Sequence, residues 1–369
     1  MGHYRKNLIT FVLSENCQLA CRYCYMNEFR KIKKEYRALS INFAKKGIDD
    51  FFFNNPPAIR FFGVGEATME FNRMKEIWEY AYKKSGGQLY SELQTNGFFD
   101  KKICRWIIDH IDVIWISCDG PNHIQNYLRP TVSNGPSARV VENNIIQLVK
   151  ANKNIGIRST IGSTNINYQK EMIDYFDEIG VKAIFASHMC IPVLKTKSKN
   201  TDEKDMLVEV DPLDFAKSFL AAKKYAEKKK IFYSNFLLVN FDEPVEISCR
   251  AMLPAPQLNP SGYVSSCDMA TDITETPMDD LIYGYFDNNI NQIIYDHNKI
   301  KKIRSRTVNN IPDCQDCFIK HFCAGGCIGE AINETSDFFG IKKNLCEATK
   351  FLATSLGTNY NEPYPFIHP

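Results

Sequence analysis

Six strand-like runs alternate with six helix-like runs between residues 7 and 230, and this alternation limits the possible folds most strongly. It favours a parallel sheet, which right-handed crossovers curl into a full or partial barrel. The strands are predicted at residues 7–13, 58–63, 89–97, 112–120, 155–162 and 181–189. The helices are predicted at residues 40–53, with Ser40 as the cap, and at 71–84, 101–111, 137–151, 168–180 and 212–230.

Four short motifs directly follow predicted strands. They are the cysteine loop after the first strand, GVGEAT at 63–68, QTNG at 94–97 and SCDGP at 117–121. In barrels of this kind the chemistry lies at the carboxyl ends of the strands. The four motifs are therefore expected to meet at one end of the barrel.

The chain contains thirteen cysteines and no recognisable secretion signal, because its first apolar stretch runs directly into the cysteine loop. This pattern indicates a reducing cytoplasm, where thiols serve metals or catalysis more often than disulfides. Cys17, Cys21 and Cys24 form one loop with no fourth thiol nearby. A structural zinc site needs four ligands, so three thiols would hold a metal centre with one open position.

After about residue 245 the alternation stops, and turn-rich segments replace it. This region contains seven cysteines: Cys249, Cys267, Cys314, Cys317, Cys323, Cys327 and Cys346. A small domain organised by metal rather than by a large core is the simplest interpretation. We therefore predict one domain over residues 1–235 and a second over residues 236–369.

Charge and hydropathy exclude some partners. The formal net charge is only +2, which argues against a broad nucleic-acid surface. No apolar run is long enough to span a bilayer, so no membrane partner is expected.

The sequence Cys-x-x-x-Cys-x-x-Cys, followed by the aromatic Tyr25, resembles the signature of the radical S-adenosylmethionine (SAM) family. The resemblance implies a partial (β/α)6 TIM-like barrel whose three loop thiolates bind a [4Fe–4S] cluster and leave one iron for SAM. The segment FFGVGEAT resembles the Gly-Gly-Glu-Pro motif of the family, although Val64 and Ala67 depart from it. By that resemblance, the expected SAM contacts are Gly63, Gly65, Glu66, Ser117 and Arg158. For Arg158, a surface ion pair is an equal alternative.

The spacing of the last seven cysteines resembles the SPASM domain of radical SAM peptide maturases. The resemblance implies two auxiliary [4Fe–4S] clusters, three clusters in all, with the second auxiliary cluster fully ligated by Cys314, Cys317, Cys323 and Cys346. Cys249, Cys267 and Cys327 would bind the first auxiliary cluster and leave one iron without a cysteine. A zinc-ribbon-like domain is the alternative. Cys104, Cys118 and Cys190 are assigned to the core.

Asp268 follows Cys267 directly and has two interpretations. In the sulfatase-maturing branch of the family an Asp here is thought to accept a proton from the substrate. The alternative is an aspartate that bonds to the backbone of a turn.

The resemblance implies an enzyme that cleaves SAM to a 5′-deoxyadenosyl radical and takes hydrogen from a ribosomal peptide, forming a thioether or carbon–carbon cross-link. A formylglycine-forming sulfatase-maturing enzyme is the alternative, but Tyr25-Met26 and the absence of an eighth cysteine upstream of Cys249 disfavour it. A non-catalytic, metal-bearing binding module is the rival from another class. The expected partners are the peptide and an electron donor such as ferredoxin or flavodoxin. A leader would be recognised by the barrel, the second domain or a separate leader-binding protein.

Overall fold

The computed structural model describes residues 7–24, 26, 36–190, 209–274 and 276–358. Tyr25, the aromatic residue of the cysteine signature, lies outside these ranges. Strands alternate with helices through the first part of the chain, as predicted. The strands are β1 (Ile9–Phe11), β2 (Ala58–Phe61), β3 (Tyr90–Thr95), β4 (Val113–Ser117), β5 (Asn154–Ile161), β6 (Ala183–His188) and β7 (Phe232–Ser234). The helices are α1 (Ile41–Asn54), α2 (Phe71–Lys84), α3 (Lys101–His110), α4 (Asn122–Leu128), α5 (Ala138–Lys150), α6 (Gln169–Glu178) and α7 (Pro212–Lys228).

Each of the strands β1 to β6 pairs in parallel with the next one along the chain, so that β7 lies at the edge of the sheet. All six predicted strands are present, and the expected α/β fold with a parallel sheet is confirmed. The short strand β7 and the helix α4 were not predicted. The predicted cap is confirmed, because Ser40 Oγ accepts a hydrogen bond from the backbone N–H of Phe43 at 3.4 Å.

The region after β7 extends the same sheet. Strand β8 pairs in parallel with β1, and three antiparallel strands follow it outward. These strands are β8 (Gln257–Leu258), β9 (Tyr263–Ser265), β10 (Ile282–Asp287) and β11 (Gln292–Tyr295). The helices of this region are α8 (His297–Ser305), α9 (Lys320–Cys323), α10 (Ile328–Thr335) and α11 (Lys343–Leu356), the last of which packs on α7. In the described part of the chain, no helix combines the length and apolarity needed to cross a bilayer.

The parallel sheet has two differently packed faces. One face carries residues such as Ile114 and Ile116 into the main core beneath the helices. The other, inner face holds a separate apolar cluster of Val113, Trp115, Ala183, Phe185 and Phe232. This separation follows from the two-residue period of a strand, because alternate side chains point to opposite faces.

Gly156 on β5 makes room for the Trp115 indole on the inner face. A Cβ added to Gly156 would lie 2.3 Å from Trp115 Cζ3, which is far below any normal contact. The backbone of β5 is therefore pressed against the ring, and the position needs glycine.

We expect Gly156→Ala to lower the thermal unfolding midpoint clearly, because overpacking of a rigid core costs about 1–3 kcal/mol. Gly135→Ala is the matched control, since its added Cβ would meet two side-chain oxygens, that of Thr131 at 3.1 Å and that of Ser133 at 3.9 Å. Calorimetry or dye-based melting of both variants gives the measurement. Equal midpoints for the two variants would contradict the packing argument.

Candidate active site

A cavity of about 280 Å³ opens at the carboxyl ends of the strands β1 to β6. The cysteine loop, the GVGEAT loop, the QTNG turn and the ends of β4 to β6 all border it, so the four motifs meet as predicted. The cavity is bordered by seven predicted site residues: Cys17, Cys21, Cys24, Gly63, Gly65, Glu66 and Ser117.

The GVGEAT loop packs tightly against the cysteine loop. A Cβ on Gly65 would lie 2.0 Å from the carbonyl oxygen of Ser14 and 2.7 Å from that of Asn16. Gly63 has a φ of 144°, and its added Cβ would meet Val12 at 2.5 Å. Only glycine permits this backbone approach, so the two glycines fix the position of the cysteine loop.

The carboxylate of Glu66 ties the GVGEAT loop to the end of β3. Its Oε1 accepts hydrogen bonds from the Thr68 backbone N–H at 3.1 Å, from the Thr68 hydroxyl at 2.7 Å and from the Thr95 hydroxyl at 2.7 Å. Its Oε2 accepts from the Asn96 backbone N–H at 2.7 Å. The side chain is buried. Because Oε1 already accepts three hydrogen bonds, only Oε2 can accept a further one, for example from an ammonium.

Asn96 is a site residue that sequence reasoning did not single out, although its QTNG turn was recognised. Its amide Nδ2 donates to the Cys17 sulfur at 3.4 Å, and the Leu19 backbone N–H approaches the same sulfur at 3.5 Å. Hydrogen bonds to cluster sulfurs are one means by which proteins tune iron–sulfur potentials. Asn96 is therefore suited to stabilise a thiolate at this position.

A buried polar network underlies the cysteine loop. The Tyr23 hydroxyl donates to Asp119 Oδ2 at 2.6 Å, and Arg129 Nη1 donates to the Tyr23 oxygen at 2.5 Å. Asp119 Oδ1 also accepts from the Thr160 backbone N–H at 2.9 Å, which links the network to β5. The sequence did not reveal this network, because its members lie up to 106 positions apart.

The crowded thiols of the loop favour a bound cationic group. Burial and the neighbouring Cys24 and Cys17, opposed by Arg129, together raise the pKa of Cys21 to about 12. Crowded thiolates of this kind are stabilised by a metal centre, which binds thiols only after they lose their protons. The donor set of three thiols with nearby hydrogen-bond donors therefore fits an iron–sulfur cluster.

Arg158 lies one layer beneath the cavity rather than on its wall. It is half-buried, and its Nη1 donates to Gln94 Oε1 at 3.2 Å, where Gln94 itself borders the cavity. Its guanidinium lies 5.4 Å from the ring centroid of Phe185 and 5.0 Å from that of Phe236. The alternative of a surface ion pair is wrong, because these contacts belong to the inner face of the sheet.

Four of the later cysteines surround a second cavity, of about 200 Å³. They are Cys314, Cys317, Cys323 and Cys346, the set predicted to act together. Burial, together with the neighbouring thiols of Cys346 and Cys317, raises the pKa of Cys314 to about 11. Four converging thiols form a complete donor set for one cluster.

The remaining three predicted ligands form a third set. Burial raises the pKa of the Cys267 thiol, and Asp268, Cys327 and Cys249 add negative charge nearby. The Cys267 sulfur lies close to the start of α10, since a Cβ on Gly329 would be 3.6 Å from it. Asp268 is half-buried and lies 3.8 Å from the Cys267 sulfur through Oδ1.

A left-handed turn separates the two later cysteine sets. Ala324, Gly325 and Gly326 have φ angles of 50°, 83° and 66° between Cys323 and Cys327. This reversal lets two cysteines only four positions apart face different sites. Arg306 was not predicted, but it is buried, donates to backbone carbonyls of Phe338 and Gly340, and places its charge near cysteines of both sets.

A buried ion network joins the cavity to the C-terminal region. His188 at the end of β6 borders the cavity, and its Nε2 lies 3.3 Å from Glu330 Oε2. Lys342 Nζ lies 3.3 Å from the same oxygen. Burial opposes ionisation of Glu330, but His188 and Lys342 outweigh it and lower its pKa to about 2.

The three other cysteines differ in their surroundings. Cys104 and Cys118 are buried in the core, as predicted. The core assignment of Cys190 is wrong, because this residue is half-buried and borders the cavity just beyond β6.

Residues 11–176 match the model of the Radical SAM superfamily. The chain carries a radical SAM domain. This family uses a [4Fe–4S] cluster together with SAM, and the matched residues include the cysteine loop, the GVGEAT loop and the strands β2 to β5. The predicted resemblance of the first half of the chain is therefore confirmed.

Comparison with curated proteins links this radical SAM domain to two kinds of enzyme. The radical SAM cyclopropyl synthase TigE of Paramaledivibacter caminithermalis is 21% identical over 94% of this chain and 73% of its own length. A serine-type anaerobic sulfatase-maturating enzyme of Bacteroides thetaiotaomicron is 25% identical over 44% of this chain and 41% of its own length. The chain, with its radical SAM domain, is thus similar to enzymes of both kinds.

Solved structures share the fold of the whole chain. Native anSMEcpe with bound AdoMet aligns with a TM-score of 0.73 at 18% identity, over 94% of this chain and 97% of that one. Streptococcus suis SuiB bound to precursor peptide SuiA aligns with a TM-score of 0.62 at 15% identity, over 93% and 76%. The alignments extend through the region of the later cysteines, so the radical SAM domain and this region share one architecture with both proteins.

We expect Glu66→Gln to weaken SAM binding by about tenfold or more, because losing a charged, multiply bonded acceptor costs about 1.5–3 kcal/mol. The NH2 group of the new glutamine would also point at hydrogen-bond donors, where the carboxylate of Glu66 offers an acceptor oxygen. Equilibrium dialysis with labelled SAM on cluster-loaded protein is the measurement. Glu70→Gln is the control and should bind SAM normally, because Glu70 lies at the far end of the short 3-10 helix Ala67–Glu70 that Glu66 caps. Similar affinities for both variants would refute the role of Glu66.

We expect Glu330→Gln to destabilise the cluster-free protein in a pH-dependent manner. A carboxyl whose pKa falls from 4.5 to about 2 on folding stabilises the native state above pH 4.5 and loses that contribution as the pH falls toward 2. The difference between wild type and variant should therefore be full at pH 6 and shrink below about pH 4.5. Denaturant titrations at several pH values give the measurement, and a constant difference would contradict the assignment.

Proposed function

We propose that this radical SAM enzyme is a peptide maturase that forms an intramolecular cross-link in a ribosomally made peptide. The bond formed is a carbon–carbon bond or a thioether. Residues 1–235 provide the radical SAM partial barrel, and residues 236–369 provide a SPASM domain with two auxiliary clusters.

The grouping of ten cysteines into three spatial sets carries this proposal. Cys17, Cys21 and Cys24 ligate the cluster that binds SAM. The set around Cys314 fully ligates the second auxiliary cluster. The set of Cys249, Cys267 and Cys327 leaves one iron of the first auxiliary cluster without a cysteine, available to substrate, water or a carboxylate.

Different residues of the site have different roles in the proposed reaction. When bound, SAM and its cluster supply a 5′-deoxyadenosyl radical that takes a hydrogen atom from a substrate carbon. Glu66 fixes the loop that faces the SAM amino group, and Ser117 contacts SAM from β4. Asp268 accepts the proton released from the substrate, as its half-buried position beside the third cysteine set permits.

Two comparisons favour peptide cross-linking. The relative that matches 94% of this chain is named a cyclopropyl synthase, and a cyclopropyl ring requires a new carbon–carbon bond. Two solved neighbours hold peptides, the Kp18Cys peptide in anSMEcpe and the precursor SuiA in SuiB. The TM-score of 0.73 with anSMEcpe keeps formylglycine formation as the second candidate.

The proposed partners follow from the surfaces around the sets. Three lysines and two carboxylates border the cavity of the Cys314 set, and this excess of positive charge suits a negatively charged electron donor such as ferredoxin or flavodoxin. The residues are Lys320, Lys343, Lys350, Asp313 and Glu347. A leader segment is recognised by the barrel, by the second domain or by a separate leader-binding protein. Such an enzyme works in the cytoplasm, where thiols stay reduced.

The test begins with anaerobically reconstituted, reduced protein and SAM. We expect 5′-deoxyadenosine and methionine from wild type and none from the variant in which Cys17, Cys21 and Cys24 are all alanine. Wild type should hold about twelve irons by ligand counting, and the triple variant about eight. Loss of all iron from that variant would refute independent sites, and zinc in place of iron would favour a binding module.

The product identifies the reaction. The substrate for this test is a short precursor peptide sought among the neighbouring genes. A cross-link lowers the mass of such a peptide by two hydrogens and creates no aldehyde. Loss of one free thiol indicates a thioether, and retention of all thiols indicates a carbon–carbon bond. A product that reacts with a hydrazide reagent would instead establish formylglycine formation.

A further inference from the structure

Two arginines on the inner face of the sheet, Arg60 and Arg158, lie beneath the cavity, and Arg250 of the short 3-10 helix Arg250–Met252 lies near both. We call Arg60, Arg158 and Arg250 the arginine layer. The guanidinium of Arg60 lies 4.6 Å from the ring centroid of Phe62, and Arg158 donates to Gln94. Phe62 and Gln94 both border the cavity, so the layer is separated from it by single side chains.

The arginine layer joins the barrel to the third cysteine set. Arg60 is in register with Thr10 on β1 and Glu92 on β3, and its Nε donates to the Thr10 hydroxyl at 3.2 Å. Arg250 follows Cys249 directly, and Asp268 follows Cys267. Asp268 lies close enough to Arg60 and Arg158 to affect the charge of both.

The layer has more positive charge than its surroundings neutralise. Three guanidiniums face two carboxylates, Glu92 and Asp268, which leaves one positive charge in excess. Burial and the neighbouring arginines lower the pKa of Arg60 to about 9 and that of Arg158 to about 10. Such lowering marks a site where positive charge is costly and an added anion is favourable.

Some polar groups of the layer lack partners. Within the described residues, Arg250 Nη1 and Glu92 Oε2 are buried without a hydrogen-bond partner. Buried polar groups are normally bonded, so two exceptions in one layer point to a ligand that carries both acceptors and donors. The three arginines remain half-buried, so the layer keeps accessible surface for such a ligand.

We infer that the arginine layer binds a carboxylate of the substrate peptide, which rests on the proposed function. The carboxylate comes from an Asp or Glu side chain or from the C-terminus, and it holds the adjacent residue between the SAM cavity and Asp268. A planar guanidinium pairs with a carboxylate through two parallel hydrogen bonds, which fixes orientation as well as position. A peptide also supplies backbone N–H donors for Glu92.

The carboxylate of SAM is the competing anion for this layer. A SAM carboxylate that reached Arg158 would leave Arg60 and Arg250 without a new partner. A test in SAM-saturated protein therefore separates the two anions.

The experiment uses full-length, cluster-loaded, SAM-saturated enzyme on a solid support and three pools of twelve-residue peptides whose variable positions exclude Asp and Glu. One pool carries a fixed central Glu and an amidated C-terminus. The second has Gln at that position and a free C-terminal carboxylate, and the third has Gln and an amidated C-terminus. We expect at least tenfold greater retention of one carboxylate pool than of the neutral pool, measured by quantitative mass spectrometry. The retained pool identifies the source of the carboxylate.

Variants locate the binding. Arg60→Gln should reduce the ratio of carboxylate to neutral pool toward one, and Arg250→Gln should do the same if Arg60→Gln folds poorly. The exposed Arg105→Gln is the matched control and should keep the wild-type ratio. Equal retention of all pools by wild type, or an unchanged ratio in both layer variants, would overturn the inference. Formation of 5′-deoxyadenosine and a cross-linked product would still establish the proposed function in either case.

Discussion

The buried carboxylate of Glu66 is the interaction on which the cavity depends. It accepts four hydrogen bonds that join the loop after β2 to the end of β3. The backbone N–H of the same residue donates to the Asn16 carbonyl at 2.8 Å, which adds the cysteine loop. Three strand ends are thus fixed by one residue, and Gly65 permits the contact because no Cβ fits there.

Negative charge at the three cysteine sets is balanced from different directions. Arg129 lies beside Cys21 beneath the first loop, while Arg306 lies between the two later sets. Both arginines are buried, so their charges are weakly screened by solvent. The fold itself therefore places a buried positive charge near the cysteines of each region, and this charge stabilises thiolates.

Sequence reasoning found the elements with clear periodicity and missed those without it. Helix α2 was predicted with its observed bounds, because its apolar residues recur at helical spacing. Strand β8 has only two residues and carries no period, so its pairing with β1 could not be predicted. The division of the later cysteines into two sets was implied by the resemblance to the SPASM domain and not by local spacing, because Cys249, Cys267 and Cys327 lie far apart in the sequence. The Tyr23, Asp119 and Arg129 network depends on tertiary contacts that no local pattern encodes.

The left-handed turn at Ala324, Gly325 and Gly326 has a consequence for electron flow. Three successive residues in this conformation leave the backbone little freedom, and a Cβ on Gly325 would lie 2.2 Å from Ile311 Cδ1. The distance between Cys323 and Cys327 is thus set by main chain rather than by flexible side chains. If both later sets hold clusters, this turn is a short covalent bridge between two redox centres. Their separation, on which the rate of electron exchange depends steeply, is then fixed by the same few peptide units that supply the ligands.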